Sequence, residues 1–336
     1  MTNEGIQPAL NTPSSAHNTA QTTRFVIGAG FIGQALARDL VAQGDRVILA
    51  SRSGTTVPGT TAVAVDASDA AALTRACLNV DTIFLASGPR EYSKWATLWP
   101  PVFDAVISAA RSTGADLVML GNLYAYGEDS TMPLTEHSPL RATDSKGAVR
   151  KAGWEQALAA NDRGDIRAVE VRASDYFGPG AGATSQLGPD FFNPLIEGKP
   201  ARVFGRTDQP HSWAYLPDII DTLIAAADFE GQWGHAWHVP CAEPLTRKQL
   251  AQRVSELTGA GTTVAPWPTW MLRVMGLLKP DVKAANELLS QFTHPFISDA
   301  CDTERLLGVS ATPWDQSLPA TLNSYRRDLA ASRSSR

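Results

Sequence analysis

From Arg24 onward, short apolar runs alternate with longer stretches in which apolar residues recur every three or four positions. RFVIGAG, RVILAS, TAVAVD, DTIFLAS, DLVMLGN and IRAVEVRAS are the short runs, and each reads as a strand buried on both faces. FIGQALARDLVAQG, SDAAALTRACLN, PVFDAVISAARSTG and the segment opening DSKGAVRKAGWEQ carry helical spacing, the first closed by Gly44 and the third by Gly114. This alternation predicts an α/β fold, a doubly wound parallel sheet with helices on both faces. After Asp175 the rhythm breaks: YFGPGAGATSQLGP is rich in glycine and proline, and the elements that follow are shorter. Residues 24–175 are therefore expected to form the sheet domain. Residues 176–330 are expected to form mainly a smaller lobe over its carboxyl edge, with segments returning to the sheet. Residues 1–23 are polar and read as a disordered leader, and residues 331–336 as a frayed tail.

Composition narrows the function classes. A chain of 336 residues with 43% hydrophobic and 19% charged residues can bury a large core, and its formal charge of −5 argues against a nucleic-acid partner. No window approaches the roughly 18 apolar residues that cross a bilayer, so no membrane partner is expected and the chain reads as cytoplasmic. Cys77, Cys241 and Cys301 are an odd number without CxxC spacing and read as buried free thiols; the histidines show no ligand spacing, so no metal is expected.

The first helix follows a glycine motif. Gly28, Gly30 and Gly33 stand in GxGxxG spacing between a strand and a helix, the context in which a dinucleotide pyrophosphate rests on a helix amino terminus. The predicted contacts are Gly28, Ala29, Gly30, Phe31, Ile32 and Gly33 at the phosphates, and Ala86, Ser87 and Gly88 at the end of the fourth strand. At the end of the second strand, Ser51, Arg52 and Ser53 stand where an NAD enzyme carries an acid for the ribose 2′-hydroxyl. Arg52 can grip a 2′-phosphate, so NADP is preferred over NAD. Asp66, followed by Ala67, can accept from the adenine amino group or cap the next helix.

The helix beginning DSKGAVRKAGWEQ places Lys146 and Arg150 four residues apart, like charges on one face with no acid between them. Such a pair is expected to face an anion. With GAGFIG, VDASD, FLASG, LYAYG, SKGAVR and YFGPG in one order, residues 24–330 resemble the extended short-chain dehydrogenases/reductases, the group containing nucleotide-sugar epimerases and dehydratases. The resemblance implies a Rossmann-type NAD(P)-binding domain with a small carboxy-terminal substrate lobe, and a homodimer through the helices after the fourth and fifth strands. It also implies a catalytic Ser or Thr, here Asn122, and a YxxxK motif, here Lys146 to Arg150. All three family residues are replaced, as in the atypical members.

On this alignment Lys146 and Arg150 face the nicotinamide ribose and the substrate cleft. Arg150 can take the ribose contact and Lys146 can serve as proton donor; alternatively, the pair binds an anion without chemistry or is a solvated helix face. Asn122 can hydrogen-bond a carbonyl, and Tyr124, two residues on and on the same face, is the alternative acid. Tyr126 reads as core; Arg172 and Asp175, at the end of the sixth strand, can pair structurally or reach the substrate, and the structural reading is preferred. Tyr176, Phe191, Phe192, Trp213 and Tyr215 are candidate walls for a small-molecule substrate. The expected function is an NAD(P)-dependent oxidoreductase or epimerase/dehydratase-like enzyme with a non-standard site; the alternative is a non-catalytic NADP sensor.

Overall fold

The computed structural model describes residues 21–89, 91–268, 271 and 286–334. The expected leader falls outside these residues up to position 20, as do the last two positions of the expected tail. The strands of the first part are β1 (Thr23–Ile27), β2 (Arg46–Ser51), β3 (Thr61–Ala64), β4 (Thr82–Leu85), β5 (Asp116–Asn122) and β6 (Ala168–Ala173). The helices between them are α1 (Phe31–Ala42), α2 (Ala70–Ala76), α3 (Trp95–Thr113) and α4 (Ser145–Asp162). Later come β7 (Tyr176–Phe177), α5 (Pro189–Ile196), β8 (Ala201–Val203), β9 (Ala214–Tyr215), α6 (Leu216–Ala227), β10 (Ala236–His238), α7 (Arg247–Thr258), β11 (Val264–Pro266) and α8 (Trp314–Ser334).

Among the described residues β1–β6 and β10 form one seven-stranded sheet in the order β10-β6-β5-β4-β1-β2-β3, with every pairing parallel. The order reverses between β1 and β4, so the loops leaving these two strands flank the crevice where ligands of open α/β sheets bind. Apolar side chains of α2, α3 and α4 cover one face, while α1 and α6 cover the other. From the later part of the chain, β10 pairs in parallel with β6. A third core belongs to the lobe, where α5, α7 and α8 pack together.

Two expectations are corrected. Helix α3 starts at Trp95, well before Pro101, and holds Pro100 and Pro101 within it. Burial of Trp95 and Trp99 offsets the two missing N–H donors. Residues 331–334, expected as tail, continue α8, whose Arg333 pairs with Glu197 at 2.7 Å. The thiols also differ from expectation, because Cys77 is buried, Cys241 half-buried and Cys301 exposed.

Candidate active site

Chain direction at the first glycine loop is set by backbone conformations that side chains resist. Gly28 has φ +116°, and a Cβ there would stand 2.4 Å from Ser87 Cβ. A Cβ on Gly33 would stand 1.9 Å from Gly28 O, so helix and loop meet at a distance open only to glycine. A Cβ on Gly30 would meet nothing within 4 Å, so this residue faces open space. Gly30 also caps α1 without any side-chain hydrogen bond to the helix. Free backbone donors, an open approach and the helix dipole together fit a dinucleotide pyrophosphate.

The second-strand residues divide. Ser51 Oγ accepts from Thr55 N–H at 2.9 Å and Ser53 Oγ lies 3.0 Å from Thr55 Oγ1, so both hydroxyls brace their own turn. Arg52 is exposed. Asp66 accepts from the N–H and hydroxyl of Ser68, which hold its carboxyl below the usual range, and Arg52 adds to that effect. Helix α2 is capped by Asp69 instead, through Ala72 N–H. Ala67 packs against the core, Ala86 is buried, and Ser87 and Gly88 are exposed beside the glycine loop.

The like-charged pair on α4 turns inward. Asp144 caps the helix by accepting from Lys146 N–H and Gly147 N–H. Arg150, 3% exposed, donates to Leu120 O at 2.8 Å and to Glu170 Oε1 at 3.2 Å, over the Trp99 ring. Glu170 accepts on its other oxygen from Arg172 Nε at 2.7 Å. The anion in front of Arg150 is therefore Glu170, below the sheet. Arg150 is not a cleft residue, because a buried guanidinium needs its acceptors and finds them there. Lys146, 2% exposed, has Nζ 3.0 Å from Ser145 Oγ and lies outside the cleft lining. For Arg150 the expectation that it faces the cleft is corrected.

Arg172 also donates to Tyr126 Oη at 2.8 Å, and that hydroxyl lies 2.6 Å from His238 Nε2. His238 Nδ1 lies 2.8 Å from Asp299 O, so Nδ1 carries the proton and Nε2 accepts from Tyr126. Burial, then the Arg172 charge, pushes His238 down to about 3, consistent with a neutral ring. Tyr126 is core, as expected, whereas Arg172 pairs with Glu170 and not with Asp175.

At the carboxyl ends of β5 and β6 a cleft of about 100 Å³ opens, lined by Tyr92, Asn122, Leu123, Tyr124, Ala173, Ser174, Asp175, Tyr176, Gln291 and Phe296. Asn122 Oδ1 accepts from Tyr124 N–H at 3.1 Å, leaving the amide NH2 to donate. Tyr124 Oη is 3.4 Å from Tyr92 Oη. Burial and the neighbouring phenols and Asp175 raise Tyr124 well above the usual phenol range. Tyr176 is pushed up to about 12, mainly by burial, and its ring lies 5.1 Å from that of Phe31 at the start of α1. Cofactor loop and cleft are thus neighbours.

His211 is the part that sequence reasoning missed. Asp175 Oδ2 lies 3.0 Å from His211 Nε2, and Asp175 lines the cleft while His211 stands behind it. Asp175 was legible as a strand-end acid; nothing in the sequence linked it to a histidine 36 residues on. The expected walls Phe191, Phe192, Trp213 and Tyr215 are corrected. All four are buried in the lobe core, where large rings have most contact to gain.

The NAD dependent epimerase/dehydratase family model matches residues 25–239. A dTDP-6-deoxy-L-talose 4-dehydrogenase (NAD(P)(+)) from Kitasatospora kifunensis is 28% identical over 280 residues, 76% of this chain and 85% of that protein. An epimerase from Methanothermobacter thermautotrophicus superposes with TM-score 0.77 at 19% identity, covering 94% of this chain and 95% of its own. The dTDP-glucose 4,6-dehydratase DesIV from Streptomyces venezuelae, solved with NAD bound, gives 0.73 at 20% identity over 91% and 97%. No described helix is long and apolar enough to cross a membrane.

Proposed function

The chain belongs to the NAD dependent epimerase/dehydratase family and is an enzyme of that NAD(P)-dependent type, and on this footing we propose that it is an NADP-preferring oxidoreductase acting on a hydroxyl-bearing, sugar-like small molecule. The observation that carries the proposal is the open glycine cradle standing beside a tyrosine-lined cleft. A bound nicotinamide supplies or accepts the hydride. Gly28, Gly30 and Gly33 with the start of α1 hold the pyrophosphate, Ala86–Gly88 flank it, and Arg52 takes the 2′-phosphate.

Asn122 orients a substrate oxygen through its amide NH2. Tyr124, kept protonated, hydrogen-bonds that oxygen and gives it a proton when an alkoxide forms; with its pKa raised well above 10 it is a poor base at neutral pH. The tyrosines and Asn122 converging on one cleft support an enzyme over an NADP sensor. In this assignment residues 24–175 carry the cofactor and residues 176–330 mainly the substrate. A homodimer through α3 and α4 completes the proposal, and light scattering on the purified protein would test it.

Titration of tryptophan fluorescence with NADPH and NADH tests the assignment. A charge-assisted contact from Arg52 contributes about 1.5–3 kcal/mol, so NADPH should bind at least about tenfold more tightly than NADH. Arg52→Asp should abolish or reverse the preference. Binding of neither nucleotide would overturn the proposal, and equal binding of both would overturn the NADP preference.

A further inference from the structure

The cleft holds a polar unit that the cofactor does not explain. Asp175 lies two residues past Ala173, the residue of β6 in register with Asn122 of β5. Adjacent strands are about 4.8 Å apart, so its carboxylate stands beside the groups assigned to the reacting oxygen. The backbone around it is pinned: Ala214 N–H donates to Asp175 O at 2.9 Å, and Ser174 Oγ to Ser212 O at 2.7 Å.

His211 is equally fixed. Its ring lies 4.1 Å from that of Trp213, 5.5 Å from Phe292 and 5.1 Å from Phe296, and Nδ1 is 3.3 Å from Gln291 O. Arg247 closes the far side, 4.6 Å above the Phe292 ring and 5.4 Å above Trp213, and donates to Phe204 O. A buried cation thus stands behind the histidine and balances the carboxylate in front of it. With Oδ2 held by His211, Asp175 Oδ1 has no hydrogen-bond partner among the described residues. Tyr92, Tyr124 and Tyr176 line the cleft around it, close enough that the Asp175 charge acts on each phenol. Asp175 is also the one charged side chain lining the cleft among the described residues.

We propose that Asp175, positioned by His211, is the specificity group of this site, and that it selects a substrate presenting a hydroxyl or ammonium group there over one presenting a carboxylate or phosphate. A fixed carboxylate oxygen accepts a hydrogen bond and repels an anion brought to the same place. Aromatic walls strengthen the discrimination, since ring faces attract cations. The inference rests on the proposed oxidoreductase function, because it takes the cleft as the substrate site.

The test uses protein saturated with NADP⁺ and three pyranoses of matched size: D-glucosamine, D-glucose and D-glucuronate. Binding is read by saturation-transfer NMR and by tryptophan fluorescence. The expected order is glucosamine, then glucose, then glucuronate, with at least a tenfold difference between the first and last. Asp175→Asn, isosteric and still able to accept from His211, should shrink that span to within about twofold, with NADPH affinity unchanged. His211→Gln keeps a donor toward Asp175 and should retain the order, whereas a structural role for the pair predicts equal losses for all three sugars. Glucuronate binding as well as glucosamine, an unchanged order in Asp175→Asn, or no binding of any of the three overturns the proposal. Should Asp175→Asn fail to fold, the order in the unaltered protein still decides. Loss of nucleotide binding in the unaltered protein would instead overturn the oxidoreductase assignment.

Discussion

Two charged networks lie a few residues apart, one anchored within strand β6 and one just past its end, and they differ in one respect. Arg150, Glu170 and Arg172 are sealed beneath the sheet, each only 2–3% exposed. Asp175 and His211 stand where the strand ends, with one carboxylate oxygen of the pair at the cleft. The sealed network spends its hydrogen bonds on itself, on Leu120 O and on Tyr126 Oη, out of reach of the cleft. The open pair holds one side of a carboxylate rigidly and presents the other. Burial of charge thus fixes the architecture at one end of the strand and offers chemistry at the other, and mutation should separate the two.

The largest expected effect is at Glu170. Glu170→Gln leaves two guanidinium groups facing each other with no counter-charge, although Arg150 Nε and Arg172 Nη2 already lack partners among the described residues. Removing one partner from a buried ion network costs about 3–5 kcal/mol, so the urea midpoint should fall steeply or the protein should not accumulate. A change below about 1 kcal/mol would show that the network is solvated in solution and that the contrast with Asp175 is false.

The second effect follows pH. His238 belongs to the sealed side, with its folded pKa near 3 against an ordinary 6.5. Below about pH 6.5 the unfolded chain takes up a proton that the native ring refuses. Stability from this residue is therefore complete above that pH and falls as pH drops toward 3, at up to about 1.4 kcal/mol per pH unit. Other carboxylates titrate in the same window, so the reading is a difference. The unaltered protein should lose stability between pH 6.5 and 4 faster than His238→Gln does. Parallel pH curves would mean that His238 is protonated in the fold, and Tyr126 would then have lost its acceptor.

How far these networks were legible in the sequence follows from what each kind of signal depends on. The sheet and its helices were readable because parallel strands and amphipathic helices write their burial into local spacing, as RVILAS and FIGQALARDLVAQG do. The glycine loop was readable for the same reason, since the contact that demands glycine at position 33, Gly28 O, lies in the same loop. Lys146 and Arg150 posed the right question, but the answer for Arg150, Glu170, arrives from a neighbouring strand 20 residues away. Phe191, Phe192, Trp213 and Tyr215 misled because an aromatic residue looks alike in a wall and in a core. His211 carried no local signal at all: the lobe fold brings it to Asp175.

The smallest expected effect is the stability cost of Asp175→Asn, and it sharpens the comparison most. Asparagine keeps an oxygen that can accept from His211 Nε2, and the Asp175 side chain is 15% exposed, so water can satisfy what the amide does not. The exchange should therefore cost about 1 kcal/mol or less, several-fold below Glu170→Gln, when both are compared by urea midpoint at constant m. One carboxylate sits on β6 and the other two residues past its end, each bonded to a cationic or imidazole partner, so chemistry alone does not distinguish them. Only enclosure does: the Glu170 partners have nowhere else to turn, whereas His211 keeps its aromatic stack and the Asp175 side chain reaches water. Equal losses for the two variants would place Asp175 among the structural charges and remove the basis for calling its cleft-facing oxygen available.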